Sequence, residues 1–259
     1  MRGERAYLDT REMNPDFVVK CIRPFAAFQT VIGPFDFVGY YFRCKESGKV
    51  MTWKLDNAVE LHKKSPYTFY LPSEQIVQQL QAGDKVKLIF MSETVLENGY
   101  EGERMWVEIM ERAGNDFKGK LVNQPFYLDS LQYGDIIHFS SIHICNTQLD
   151  DPYSKEMDFY FENKITVSND VLARNEFNFM LRFEPNDESD LGWVFFSGYE
   201  QDDFNTDPDN FQVISVGKML NIDDSILEFL HDSIPCAYER EAASRKLLKV
   251  ENYDFSIHE

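Results

Sequence analysis

The stretch LGWVFFSGYE, residues 191–200, carries the clearest fold signal in this chain. Its central residues Trp193–Phe196 are aromatic or β-branched, and glycines stand near both ends, at 192 and 198. Aromatic and β-branched residues favour strands, whereas glycines favour the turns at which strands end. The pattern predicts a short strand over Trp193–Phe196. We expect Trp193 to lie in a hydrophobic core with its indole N–H hydrogen-bonded.

Similar short apolar runs recur along the chain, separated by turn residues. Helical spacing and capping residues predict helices over Ser73–Leu80 and Asp223–Leu230, and a third helix over Arg240–Val250. Because strands and helices mix without strict alternation, the pattern favours an α+β fold of two small mixed units with mainly antiparallel sheets. The other predicted strands are Phe17–Ile22, Phe35–Arg43, Lys85–Met91, Met105–Met110, Ile136–Phe139, Lys164–Val167, Phe177–Phe183 and Phe211–Ser215.

The segment NTQLDDPYSKE, residues 146–156, is polar, contains a proline and lacks an apolar period, which is typical of a linker. We therefore predict an N-terminal α+β unit over residues 1–145, a linker over 146–156 and a C-terminal α+β unit over 157–259. The charge changes at the same place, since residues 150–232 contain 20 acidic and five basic side chains. The C-terminal unit is thus expected to present an acidic face.

The composition argues against several classes of protein. The 259 residues carry a formal net charge of −18, so nucleic acids and anionic membranes should repel the chain. No apolar run approaches the ~18–20 residues of a membrane span, and the first residues do not resemble a secretory signal. The four cysteines are far apart and form no CxxC pair. These features predict a cytoplasmic protein with reduced thiols and without a membrane or nucleic-acid partner.

The histidines do not predict a metal site. His138, His143 and Cys145 lie within eight residues of one another. On a strand, His138 would face away from the other two, and a structural zinc site needs four ligands at characteristic spacings. We expect these residues to be ordinary members of a strand.

Calcium and catalytic motifs are also incomplete. The segment 203–209 places oxygen side chains at alternate positions of a calcium loop, but Pro208 and Ile214 stand where that loop needs glycine and glutamate. Ser197 lacks the leading glycine of a nucleophile elbow. We therefore expect a non-enzymatic protein without metal or cofactor.

The C-terminal half resembles a known bacterial family over residues 164–241. The matching segments keep their order and spacing, which makes the likeness more specific than any single motif. They are ITVSNDVL (165–172), MLRFEP (180–185), LGWVFFSGYE (191–200), DPDNFQVISV (207–216), LNIDDSILEFL (220–230) and AYERE (237–241). This pattern is similar to the immunity-protein-33-like domain, a domain of unknown function.

The chain departs from this family at two places. The family usually reads D-S-G-W where this chain has Asp190-Leu191-Gly192-Trp193, and it usually has an acidic residue where Tyr199 stands. We assign structural roles to the motif residues that match, which are Arg182, Gly192, Trp193, Phe196, Ser197, Gly198, Asn210, Glu239 and Arg240.

Residues from about 58 to 144 show a weaker resemblance to a second bacterial family of unknown function, the YegJ-like domain. That family usually closes with an Asp-Trp pair near the position of Ile144-Cys145. The matching motif residues, again assigned structural roles, are Trp106, Gly119, Asn123, Pro125, Gly134 and Asp135.

The first resemblance implies an immunity-type role, because domains of this kind are proposed to neutralise polymorphic toxins in the cell that produces them. It implies no catalytic residue. An acidic surface would favour a basic partner, such as the toxin domain of a nuclease. The candidate partner-binding residues all lie in the stretch 186–210, which contains no Lys or Arg, and are Asp187, Glu188, Asp190, Glu200, Asp202, Asp203, Asp207 and Asp209.

An alternative function stays open at this point. A housekeeping or regulatory module that binds a small ligand or another protein would share the same features, and its acidic residues would then form a solvated face. The sequence also leaves the oligomeric state open.

Overall fold

The computed structural model describes residues 7–9, 53–93, 101–201, 204 and 207–258; the strands predicted at 17–22 and 35–43 lie outside these ranges. The chain divides into two compact units. The first comprises Met1–Val59 and Glu74–Leu149, and the second comprises Glu60–Ser73 and Asp150–Glu259. The short segment Glu60–Ser73 therefore belongs to the second unit, although most of that unit follows it by about 80 residues in the sequence.

A mainly antiparallel sheet of seven strands organises the described part of the first unit. The strands are β1 (Tyr7–Asp9), β2 (Trp53–Leu55), β3 (Lys85–Ser92), β4 (Gly102–Ala113), β5 (Asp116–Leu121), β6 (Ile136–Ser140) and β7 (Ile144–Thr147). The main strand order is β2-β3-β4-β5-β6; in addition, β1 pairs with β4 in parallel and β7 pairs with β3.

The core of the first unit forms because side chains alternate between the faces of β4, β5 and β6, and one face is buried. Val86, Leu88 and Phe90 of β3 pack with Met105 and other apolar side chains of the neighbouring strands. Helix α1 (Ala58–Lys64) begins in this unit, and α2 (Glu74–Gln79) falls within the predicted helix Ser73–Leu80.

Arginine 112 fixes the end of α2. Its Nη1 donates to the carbonyl oxygens of Val77 and Leu80 at 3.1 and 2.7 Å. The last carbonyls of a helix have no partner within the helix, so this side chain supplies the missing donors.

The described part of the second unit contains a mixed sheet of six strands. The strands are β8 (Lys164–Ser168), β9 (Phe179–Arg182), β10 (Asp190–Phe196), β11 (Phe211–Ser215), β12 (Cys236–Arg240) and β13 (Leu247–Lys249); the helices are α3 (Ser154–Glu162), α4 (Asn169–Arg174) and α5 (Val216–Leu220). The strand order is β11-β8-β10-β9-β12-β13, and among these described strands only the β8–β10 pair is parallel. Both units combine helices with mainly antiparallel sheets, and the predicted α+β class is confirmed.

The two faces of this second sheet carry different apolar clusters. Trp193 and Phe195 point to the main core, which also contains Met219 of α5. Phe196 points to the opposite face, where the chain after β13, including Tyr253, packs against the sheet. We call this opposite side the second face.

One predicted helix is present as a 3-10 helix, and another is wrong. Residues Asp224–Phe229 of the predicted helix Asp223–Leu230 form a 3-10 helix, with Asp223 Oδ1 accepting from Ser225 N at 3.0 Å as its cap. The predicted helix Arg240–Val250 is wrong, since Leu247–Lys249 returns as a strand along Tyr238–Arg240. Strand pairing overrides the helical propensity of this segment.

The histidine region also departs from the prediction. His143 lies in a 3-10 helix (Ser141–His143) between two strands, and its Nδ1 is 3.0 Å from the donating backbone N of Ser140. Burial lowers the pKa of the His143 imidazole.

Candidate partner-binding surface

Strand β10 positions the acidic residues at its two ends. It spans seven residues in place of the predicted four, so its ends are about 20 Å apart at a rise of ~3.3 Å per residue. Lys164 N donates to Ser189 O at 2.7 Å, which places the loop 186–190 beside the start of β8. Phe211 is paired with Ser168, so Asp207 and Asp209 lie near the opposite end of β8. The described acidic residues thus form two groups: the first is Asp187, Glu188 and Asp190, and the second is Glu200, Asp207 and Asp209.

The first acidic group is held by hydrogen bonds within its own loop. Asp190 Oδ2 accepts from Asn186 N at 3.0 Å, and Asp190 Oδ1 accepts from Gly192 N at 2.8 Å. Asp187 accepts from Ser189 Oγ and Ser189 N, both at 2.8 Å, and these bonds lower the pKa of the Asp187 carboxyl. Glu188 is exposed on the same loop. The loop is therefore ordered by Asp187 and Asp190, and it exposes Asp187 and Glu188 to solvent.

Glycine 192 is required at the start of this strand. Its φ is +73°, and a Cβ at this position would lie 2.1 Å from the carbonyl oxygen of Phe183. Phe183 N donates to Gly192 O at 2.9 Å, so the two backbones approach closely. The departure from the family at Leu191 leaves this glycine in place.

Glutamate 200 is the centre of the second acidic group. Its carboxylate accepts from Ser168 Oγ at 2.5 Å, from Ser197 N at 2.6 Å and from Gly198 N at 2.8 Å. Partial burial acts to raise the pKa of Glu200, but these hydrogen bonds outweigh it and hold the pKa below its usual value. Three donors engage the carboxylate, so Glu200 shapes the turn that follows β10.

The neighbouring side chains extend this network. Ser197 is fully buried, and its hydroxyl donates to Asp170 Oδ2 at 2.6 Å. Arg174 Nε donates to the same oxygen at 2.6 Å, and its guanidinium lies 4.6 Å from the centroid of the Tyr199 ring. Tyr199, which replaces the acid usual in the family, therefore contacts a cation of its own unit.

Two further acids of this group, Asp207 and Asp209, border β11. Asp207 Oδ1 accepts from Asp209 N at 3.0 Å and caps the 3-10 helix Pro208–Asn210. Asn210 Nδ2 donates to Phe204 O at 2.9 Å. Asp207 and Asp209 are exposed, whereas Asp202 and Asp203 lie outside the described residues.

We predict that Glu200→Gln lowers the free energy of unfolding by about 1–3 kcal/mol. Both carboxylate oxygens of Glu200 now accept hydrogen bonds, and the amide nitrogen of glutamine would face one of these donors without accepting from it. Thermal or denaturant unfolding of the full chain measures the change. Glu188→Gln is the matched control, since it removes the same charge from an exposed side chain. Equal stabilities for the two variants would contradict the role given to Glu200.

The other motif residues of the second unit support its sheet. Arg182 is buried, donates to Leu191 O at 3.0 Å and to Asp232 O, and places its guanidinium 5.5 Å from the Trp193 ring. Arg240 donates to Asp223 Oδ2 at 2.7 Å. Other motif positions are the buried Phe196, Gly198 with φ +82°, and the exposed Glu239 of β12.

The motif residues of the first unit hold its strands and loops. Trp106 N donates to Asn123 Oδ1 at 2.5 Å. A Cβ on Gly119 would lie 2.5 Å from Val107 Cγ1, so the neighbouring strand leaves room only for glycine. Asp135 Oδ2 accepts from Gln132 N at 2.8 Å, next to Gly134 with φ +93°; Pro125 is half-buried in the loop after β5.

Sequence reasoning missed two buried carboxylates. Glu103 accepts from the backbone N–H groups of Tyr127 and Leu128 at 2.6 and 2.9 Å. Asp151 Oδ2 accepts from Tyr70 Oη and Ser73 N, both at 2.8 Å, and so fastens Glu60–Ser73 to the rest of the second unit. Their partners are 24 to 81 residues away in the chain, which no local pattern reveals.

In the part of the chain that the structure describes, no three His, Cys, Asp or Glu side chains converge as a metal site would require. The helices in those ranges are too short or too polar to cross a bilayer.

Comparison with known families bears on both units. Residues 165–251 match the Immunity protein Imm33 domain. The resemblance of the C-terminal half is thereby confirmed. Residues 49–151 match a family described as Uncharacterized protein conserved in bacteria (DUF2314), in agreement with the weaker resemblance of the first half. No curated protein and no solved structure matches the chain.

The Imm33 match does not contain every part of the second unit. Glu60–Ser73 belongs to that unit but falls inside the 49–151 match. The second unit, which carries the Imm33 match, therefore also contains a segment that matches the DUF2314 family.

Proposed function

We propose that the chain is an immunity-type protein that binds a toxin domain and neutralises it in the cytoplasm, without catalytic activity of its own. The observation that carries the proposal is the Imm33 match over residues 165–251. An immunity domain implies a protein partner. The match also contains all eight candidate acids of the stretch 186–210.

We further propose that this partner is basic at its binding site. The exposed acids Glu188, Asp207 and Asp209 lie in a stretch without a Lys or Arg, so their charges are not neutralised by sequence neighbours. A nuclease cleft that binds phosphate is basic, and carboxylates placed in it would mimic phosphate. Long-range attraction would also accelerate the encounter.

Growth rescue tests the proposed function. A candidate toxin domain, sought first in the genes next to this one, is expressed in a host cell with and without the full chain. We expect the chain to restore growth. In control cells that express an unrelated acidic protein of similar charge in its place, growth should stay inhibited. Continued growth arrest in the presence of well-expressed chain would contradict the proposal.

Neutralising two exposed acids should slow the association with that toxin domain. Glu188→Gln combined with Asp209→Asn removes one charge from each acidic group, and we expect an association rate about 3–10 times lower at low salt with a flatter salt dependence. Stopped-flow or biosensor kinetics over a series of salt concentrations provides the measurement.

The matched control removes two exposed acids elsewhere. Asp116→Asn combined with Asp129→Asn gives the same net charge but changes residues of the first unit. Equal rates and equal salt slopes for both double variants would show that the acids at the ends of β10 do not steer the partner.

The second candidate function rests on the match over residues 49–151. That region belongs to a family without an assigned role, so a regulatory module that binds a small ligand or another protein is the alternative for the chain. It predicts that the chain leaves the candidate toxin active, whereas the immunity function predicts protection.

A further inference from the structure

We infer that the open edge of strand β11 receives an extended, basic segment of the protein partner, which joins the second unit's sheet as an additional strand. The inference rests on the proposed immunity function and names the place at which the partner binds. It follows from the pairing, the composition and the charge of this edge.

The backbone of β11 is available for pairing on one side. Within the described ranges the six-stranded sheet ends at β11, which is paired only with β8. Val216 N donates to Asn163 O at 3.0 Å, and the pairing is antiparallel. Because the direction of backbone groups alternates along a strand, Ile214 turns its N–H and C=O toward β8, and Val213 turns them toward the open side.

The composition of β11 does not protect this edge. Edge strands usually carry charges or proline, or are very short, because an unpaired edge invites another chain. At the opposite edge, β13 has only three residues, ends in Lys249 and follows Lys246. Strand β11 has five residues, FQVIS, with no charge and no proline. The side chain of Val213 is 69% exposed on the second face.

The charge beside β11 indicates which occupant fits. Asp207 and Asp209 are exposed directly before the strand, and residues 183–217 contain no Lys or Arg. This charge attracts a basic segment. A second copy of the chain would bring the same acids and a net charge of −18 to the same edge, which opposes self-pairing. Addition of a strand to an exposed edge is an established mode of peptide recognition, in which backbone hydrogen bonds supply affinity.

Two variants of Val213 test the inference in the full chain. Val213→Pro removes the outward N–H without removing a hydrogen bond to β8, and Val213→Lys adds a positive charge that opposes a basic segment. We expect each variant to raise the dissociation constant for the inactivated toxin domain identified by growth rescue by about tenfold or more. Leu248→Lys is the matched control, because Leu248 is 48% exposed on the opposite edge strand; its affinity should stay within about twofold of wild type.

Each outcome of the binding titration is decisive when melting temperatures confirm that the variants are folded. Wild-type binding that both Val213 variants retain would overturn the edge site while leaving the immunity function intact. No binding by the wild-type chain, together with no growth rescue, would overturn both proposals. A stable dimer that Val213→Lys dissociates would show that a second copy occupies the edge, and would also overturn the inference.

Amide hydrogen exchange supplies an independent readout. In the wild-type complex, we expect the amide of Val213 to become protected, with no change at Lys249, whose N–H also points away from its paired strand. Unchanged exchange at Val213 in a saturated complex would contradict strand addition at this edge.

Discussion

Replacing Trp193 by alanine is expected to lower the free energy of unfolding by about 3–5 kcal/mol, because the change removes a large aromatic ring from a packed core. Trp193 is 1% exposed, and its indole Nε1 donates to Leu230 O at 3.3 Å. Its ring centroid lies 6.2 Å from those of Phe195 and Tyr238. Denaturant unfolding of the full chain measures this loss of stability.

Tyr199→Ala is the control for this variant. Tyr199 is 58% exposed and lies in the same unit, so its truncation should cost no more than about 1 kcal/mol. A Trp193→Ala protein as stable as the Tyr199→Ala protein would contradict the burial of the indole ring.

Replacing Asp151 by asparagine is expected to destabilise the second unit by about 2–4 kcal/mol. Both carboxylate oxygens of Asp151 accept hydrogen bonds, whereas the side-chain amide of asparagine accepts them only at its oxygen. Asp151 is 3% exposed and accepts from Tyr70 Oη, Ser73 N and Tyr153 N. The variant weakens the attachment of Glu60–Ser73, and hydrogen exchange in that segment should increase with the loss of stability.

Asp150→Asn is the matched control, because Asp150 is exposed and the variant has the same net charge. The pH dependence gives a second readout. Burial acts to raise the pKa of Asp151, but its hydrogen bonds outweigh burial and hold the pKa below the usual value of 3.8. Its contribution is therefore present above about pH 4 and is lost as the pH falls through the lowered pKa. Asp151→Asn should lack this part of the stability that is lost at acidic pH. Equal stability of Asp151→Asn and Asp150→Asn at pH 7 would contradict the role of Asp151.

The second unit shows how far local sequence patterns predict the fold. The apolar run around Trp193 correctly predicted a strand and a buried indole, since both follow from side-chain size and the flanking glycines. The same reasoning failed at Arg240–Val250, where Arg245 has a positive φ of 60° and the chain turns back as a strand. Pairing with a neighbouring strand outweighs a weak helical preference, and that neighbour is not visible in a local window.

The candidate surface was predictable in composition but not in geometry. The acidic stretch 186–210 is evident in the sequence, whereas the engagement of Glu200 by Ser168 depends on residues 32 positions apart. The open edge at β11 depends on the order of the strands in the sheet. The placement of Glu60–Ser73 in the second unit depends on contacts such as that of Tyr67 N with Asn221 Oδ1 at 3.1 Å, across 154 residues.

The central claim is that the chain neutralises a toxin by direct binding. The most direct measurement is the activity of a purified toxin domain that the chain protects against in the growth-rescue assay. That activity is assayed on the toxin's own substrate with increasing amounts of the purified full chain. The claim predicts that activity falls to background near equimolar chain, and that Leu248→Lys inhibits as well as wild type. Full toxin activity in the presence of excess folded chain would contradict it.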